Sequence, residues 1–258
     1  MTVQVDQIPA HEVHLGAGIS AFFTMAGGGV SPAPWKSLNL GPNVRDEPAR
    51  VLANRARVSK RLGKPVRFAT QVHSNAVARL ESAGAPGQMS IGEADAIVAV
   101  SDEFGLGVLV ADCVPILLSD PIAGVIGVAH AGRAGLQNGV IANVIEELEA
   151  AGASASSLLV AVGPCICAHC YEVPASMAQS FATETQISPA TSNWGTPALD
   201  LRAAADTQLR QNGVGNVTHV PHCTYELDQY FSHRRATKNG QTTGRFAGII
   251  GRTSSRSE

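Results

Sequence analysis

The chain is poor in charge and has no long uninterrupted apolar run. Of its 258 residues only 16% are charged, against 45% hydrophobic. A sizeable core is therefore available, and wholesale disorder is excluded. The formal net charge of −2 offers no bulk attraction to nucleic acid or an anionic membrane, while leaving room for a local phosphate site. The longest apolar stretch, 104–118, is interrupted by Asp112 and Pro115 and is too short to span a bilayer. Met1 to Asp6 lack a basic segment followed by an apolar one. Five cysteines cannot all pair with one another, so a reduced, cytoplasmic protein is expected. The eight histidines are scattered singly, which disfavours the paired histidine clusters of a multicopper centre.

What is present alternates between strand-like and helix-like runs. Residues 19–24 read as a strand that enters the glycine turn 27–29. The spacing predicts a helix over 46–62, capped by Asp46, with Val51, Ala53, Val58 and Leu62 as its apolar stripe and Gly63 as its stop. Strands are expected at 66–72, 94–100, 105–111, 158–162, 217–220 and 248–251, with a hairpin from 116–118 and 124–129. Leu136, Val140, Ile141, Val144, Ile145 and Leu148 fit one amphipathic helix over 135–150. Two more helices suit 174–184 and 199–212. With no repeat or linker, a single mixed α/β domain over 1–258 is favoured.

The chemistry-bearing residues sit near the ends of these runs. His73 follows one strand, and Cys113 and His130 lie 17 positions apart where two apolar runs end. A thiolate and two imidazoles form a three-ligand zinc set with one coordination place left for water or substrate. The same trio can hold one copper, and a metal-free pairing of Cys113 with His130 or His73 is a nucleophile with its base. Taken singly, each residue also has a plain reading as a buried or capping group. Asp112 adds a carboxylate that a purely structural strand would not need, as a ligand-orienting group, a general base or a turn residue. The small residues of His130-Ala131-Gly132-Arg133-Ala134-Gly135 suit either an anion seat at a helix start, with Arg133 adding charge, or tight packing. Arg235 and Arg245, with Arg234, suit phosphate or a solvated basic loop. Cys165, Cys167 and Cys170 crowd beside His169, but their spacing fits no standard structural zinc pattern and no partner Cys-x-x-Cys pair is evident. No separate metal site is expected there.

A series of segments carries a resemblance that runs in order through nearly the whole chain. They are Phe23-Thr24, Gly28-Gly29-Val30-Ser31, Ser37-Leu38-Asn39-Leu40-Gly41, Asn54-Arg55, Gln71-Val72-His73 and Ala94-Asp95-Ala96. They continue through 111–118, 129–135, Gly163-Pro164-Cys165-Ile166, Tyr171-Glu172-Val173, Asp200-Leu201, Cys223-Thr224, Ser232, Arg234-Arg235 and Gly244-Arg245. The pattern resembles the YfiH/laccase-domain family, also called the polyphenol oxidase or purine nucleoside phosphorylase family. The resemblance implies zinc ligands at His73, Cys113 and His130, and an α/β sandwich like the cytotoxic-necrotizing-factor catalytic domain. It further implies phosphorolysis of adenosine, inosine, guanosine and methylthioadenosine, with adenosine deamination as a further activity. Substrates would then be small purine nucleosides and phosphate. Copper-dependent phenol oxidation, amide hydrolysis in peptidoglycan-precursor editing, and nucleotide sensing without turnover stand as alternatives. Met25-Ala26 occupy the place where the family usually carries Thr-Arg, which puts a substrate contact there in question.

Overall fold

The computed structural model describes residues 8–82 and 88–253. Two β-sheets stack face to face, with helices on the outer faces. In chain order the strands are β1 Ala10–Val13, β2 Ile19–Thr24, β3 Val66–Phe68, β4 Val77–Leu80, β5 Ala96–Ala99, β6 Gly105–Val110 and β7 Val114–Asp120. They continue as β8 Val125–Ala131, β9 Leu159–Val162, β10 Ala190–Thr191, β11 Pro197–Ala198, β12 Asn216–His219 and β13 Phe246–Arg252. The helices are α1 Pro48–Leu62, α2 Arg133–Gln137, α3 Val140–Ala150, α4 Ala175–Thr185, α5 Leu201–Gln211 and α6 His233–Lys238. One sheet runs β1-β2-β13-β6-β3 and the other β12-β9-β7-β8-β5-β4, while β10 and β11 form a separate ladder. Mixed pairing in both sheets and helices outside them fit the expected single mixed α/β domain.

Strand periodicity explains the layers. Successive side chains point to opposite faces of a sheet, so Phe23 joins Leu106, Val108, Leu117, Val128 and Ala161 between the sheets. Its neighbour Phe22 packs outward with Phe68, Ile249, Val58 and Leu62 under α1. On the other side, Ile116, Leu118 and Val160 meet Val140, Val144, Leu148, Ala204 and Leu209 from α3 and α5. Among the described residues no helix is long and apolar enough to cross a membrane.

Several sequence expectations are corrected in detail. The helix expected from 46 begins at Pro48, with Glu47 at its cap position. The Asp46 carboxylate is drawn away by Ser31 and Asn39, which donate to it at 2.6 and 2.8 Å. Ala53 is exposed, and Asn54 and Arg55 are buried instead, because Asn54 donates to the carbonyls of Ser37 and Asn39. The single helix expected over 135–150 is two, since Gly139 adopts φ 83° between α2 and α3. The expected strand 66–72 stops at Phe68, and the loop 69–76 carries His73. The stretch read as a basic loop near the C-terminus contains α6, and the short final strand is the seven-residue β13, paired on both sides.

Gly107 of β6 lies opposite Phe68 of β3, and a Cβ there would sit 2.2 Å from the Phe68 ring. Gly107→Ala is therefore expected to lower the unfolding free energy by about 1–3 kcal/mol through overpacking. Urea unfolding of both proteins checks this, and an unchanged midpoint would show that the ring has room to move.

Candidate metal centre

The connection from β6 to β7 crosses from one sheet to the other in three residues, Ala111, Asp112 and Cys113. Asp112 takes φ 94° to make that turn, which delivers the Cys113 side chain at the junction. His130 lies near the end of β8, opposite Pro115 of β7. His73 comes from the loop after β3 and also has positive φ, at 61°.

One buried carboxylate aligns two of these three. Asp95, just ahead of β5, accepts hydrogen bonds from the backbone N–H groups of Val72, His73 and Ser74 at 3.2, 3.0 and 2.7 Å. It also accepts the Ser74 hydroxyl at 2.7 Å and the Nδ1–H of His130 at 2.8 Å. That hydrogen bond assigns the His130 proton to Nδ1 and leaves Nε2 as the available donor atom. Burial alone would raise the Asp95 pKa, but these donors hold it well below the usual carboxylate range. Gly132 allows the close approach of the other two side chains of the trio: a Cβ there would lie 3.0 Å from both Cys113 Sγ and His73 Cδ2.

Cys113 Sγ is 3.9 Å from His73 Nε2, and the ligand atoms of His73, Cys113 and His130 all lie within 4.8 Å of one another. The two imidazole rings meet edge-on with centroids 4.7 Å apart. Burial disfavours charge on Cys113, yet His130 and His73 bring its thiol down to about 6. Burial likewise opposes the His130 imidazolium, but the Cys113 thiolate and Asp95 raise it to about 9. One sulfur and two imidazole nitrogens, convergent and with a carboxylate fixing one tautomer, fit a zinc or copper ion.

The trio opens into a cleft of about 390 Å³ whose walls include Leu109, Asp112, Tyr171, His233, Arg234 and Arg245. That volume falls within the roughly 300–1,000 Å³ of small-molecule sites. Arg245 donates through Nη1 to the carbonyls of Thr243 and Gly244, at 3.3 and 3.0 Å. Burial lowers its pKa, opposed by Cys113 and Asp112. Burial, helped by Arg245, lowers the pKa of His233 and so favours its neutral form.

Other expected site residues are placed differently. Consecutive residues of a helix point about 100° apart, so on α6 Arg234 lines the cleft while Arg235 turns away. The Arg235 guanidinium donates to the carbonyls of Thr224, Tyr225 and Tyr230 at 2.7, 2.8 and 2.6 Å. Arg235 is thus not among the residues that line the trio's cleft. Arg133 is not among the cleft residues; it donates to Gln137 one turn along α2. The carboxylate hydrogen-bonded to an imidazole of the trio is Asp95, not Asp112. Asp112 accepts the Thr224 hydroxyl and the Arg234 N–H, each at 2.7 Å, and so anchors the start of α6. Met25 packs beside Val110, Tyr230 and Phe231, and neither it nor Ala26 lines the cleft. Sequence reasoning missed Asp95, Tyr171 and His233 as site residues; for Asp95 the available signal was a carboxylate opening an apolar strand.

The crowded cysteines also separate in space. Cys165 is buried, and burial pushes its thiol up to about 12. Cys167 and Cys170 instead gather with Cys223 and Glu226, so a Cys-x-x-Glu pair from 223–226 stands where a second Cys-x-x-Cys pair would.

The family model described as multi-copper polyphenol oxidoreductase laccase matches residues 20–253, and the chain belongs to that family. Purine nucleoside phosphorylase ORF3 of Streptomyces griseus is 42% identical over 232 residues, covering 88% of this chain and 92% of that protein. Purine nucleoside phosphorylase Rv2149c of Mycobacterium tuberculosis is 39% identical over 230 residues, covering 88% and 89%. Among solved structures, Neisseria meningitidis protein NMB0706 superposes with a TM-score of 0.83 at 32% identity, covering 96% of this chain and 99% of that one. YlmD from Geobacillus stearothermophilus gives a TM-score of 0.83 at 30% identity, over 92% and 93%.

Because Asp95 sets both the His73 loop and the His130 tautomer, Asp95→Asn is expected to weaken metal binding at this centre by about 10- to 100-fold. Competition with a chromophoric chelator measures it; an unchanged affinity would show that the trio is held without this carboxylate.

Proposed function

We propose that the protein is a zinc-dependent purine nucleoside phosphorylase, with His73, Cys113 and His130 as ligands. Its substrates are adenosine, inosine, guanosine and methylthioadenosine, and adenosine deamination is a second reaction of the same cleft. The observation that carries the reading is one cleft in which a Cys/His/His trio and the Arg245 guanidinium share the lining. The names of relatives at about 40% identity across most of the chain support it. All five cysteines are free thiols, in keeping with the cytoplasmic setting we infer.

Held by His73, Cys113 and His130, zinc would supply Lewis acidity and lower the pKa of a bound water toward neutrality. Arg245 neutralises the phosphate that approaches the ribosyl carbon, where positive character develops as the bond to the base breaks. The Tyr171 ring and Leu109 offer apolar contact to the base. His233, held neutral, is a hydrogen-bond partner for base or sugar, and Asp112 positions α6 so that Arg234 and His233 face the cleft.

A second reading draws on the Cys113–His130 pair, whose thiolate and imidazolium character would suit a metal-free amide hydrolase. Phenol oxidation, suggested by the family's description, would follow from copper replacing zinc at the trio.

Cys113→Ala is expected to lose one equivalent of bound metal together with inosine phosphorolysis, read by elemental analysis and a hypoxanthine assay. Full metal retention would reject the trio as ligands, and amide hydrolysis that survives complete chelation would favour the second reading. Arg245→Met is expected to raise the phosphate KM about 10- to 150-fold, the worth of a charged hydrogen bond, while adenosine deamination persists. Equal loss of both reactions with the metal retained would assign Arg245 to general substrate binding.

A further inference from the structure

A second cluster of ligand atoms lies apart from the trio. Cys167-Ala168-His169-Cys170 and Cys223-Thr224-Tyr225-Glu226 are two pairs with the same two-residue spacing, brought together from distant parts of the chain. The backbone fixes both. A 3-10 turn at Ala168–Cys170 folds the first pair, with Cys170 N–H donating to Cys167 O at 3.0 Å. The second pair lies on a turn in which Leu227 N–H donates to Cys223 O at 3.1 Å. A parallel bridge between Cys165 and Cys223 registers one segment against the other.

The four side chains converge. Their ligand atoms all lie within 4.8 Å of one another, and Cys170 Sγ is 3.4 Å from Glu226 Oε1. A tetrahedral zinc with bonds of about 2.3 Å to sulfur and 2.0–2.2 Å to oxygen sets neighbouring ligand atoms about 3.5–3.8 Å apart, so closing onto an ion needs movements of about 1 Å or less. The Cys167 N–H already points to Cys223 Sγ at 3.3 Å, a hydrogen bond that steadies a ligating sulfur. Cys170 and Cys223 are buried, Cys167 is half-buried and only Glu226 is exposed. Four protein ligands in a mostly closed pocket are the pattern of a structural site, not a catalytic one.

We propose that Cys167, Cys170, Cys223 and Glu226 form a second metal site that holds one structural zinc. The oxygen ligand favours zinc over copper(I), which selects soft sulfur donors. Four anionic ligands leave the site net negative. Arg235, which donates to the carbonyls of Thr224 and Tyr225, and Lys238, above the Tyr225 ring, supply compensating charge. The site's position gives it a task. Cys170 adjoins Tyr171 of the cleft wall, and Cys223 adjoins Thr224, the donor to Asp112. An ion there would fasten that wall to the turn that carries Cys113.

The test uses full-length protein with the first centre disabled by His73→Ala and Cys113→Ala together. After dialysis against a weak chelator, this variant is expected to keep about one zinc per chain, and the zinc should be lost on adding Cys170→Ser. Adding Glu226→Gln instead changes an exposed side chain and should weaken zinc binding about tenfold or more. Cobalt loaded into the same background should give a sulfur-to-cobalt charge-transfer band with the intensity of three thiolates. Absence of zinc and of that band in folded protein would overturn the proposal. So would a disulfide between Cys167 and either Cys170 or Cys223 in protein mapped without reductant.

Discussion

The candidate centre depends on a buried negative charge that is fully occupied. Asp95 is 2% exposed, and a carboxylate is tolerated at such depth only when paired and hydrogen-bonded. Its donors are three consecutive backbone N–H groups, a serine hydroxyl and an imidazole. Satisfying that charge forces the loop after β3 to curl around it, which sends His73 toward β8 and turns His130 to face Cys113. The ligand geometry is thus a by-product of solvating one oxyanion with protein.

Around this core, polar residues act mostly as braces. Asn39 accepts from the N–H groups of Gly41 and Arg245 and donates to Asp46. Asn54 joins the same network through Ser31 and the carbonyls of Ser37 and Asn39. Asn39 therefore holds the segment that presents Arg245, and neither it nor Asn54 lines the cleft. Buried networks of this kind tolerate little, because removing one member leaves another polar group unpaired.

Much of this was legible in the sequence, for local reasons. Most strands of the two large sheets show as apolar runs, and two of the three trio residues lie where such runs end. What stayed hidden was set by contacts remote in the chain. The β1 and β4 strands are short and only partly buried, so they lack the signature of a buried strand. Six mostly polar residues do not announce α6, which owes its start to Ser232 and to Asp112 across the chain. Asp95 sits between alanines, and its role becomes visible only when β5 is laid beside β8. Cys223 and Glu226 stand 56 residues from the cysteines they meet, beyond any spacing rule.

The crossing from β6 to β7 has one more consequence. His73 follows a strand of one sheet, His130 belongs to the other, and Cys113 sits on the passage between them. An ion held by all three is a clasp across the sandwich, and an unfolded chain cannot assemble it. Ligand that binds only the folded form adds about 4 kcal/mol of stability at a thousandfold excess over its dissociation constant. Metal supply would then govern how much folded protein persists, and a chain whose two sheets failed to stack could not bring the three side chains together.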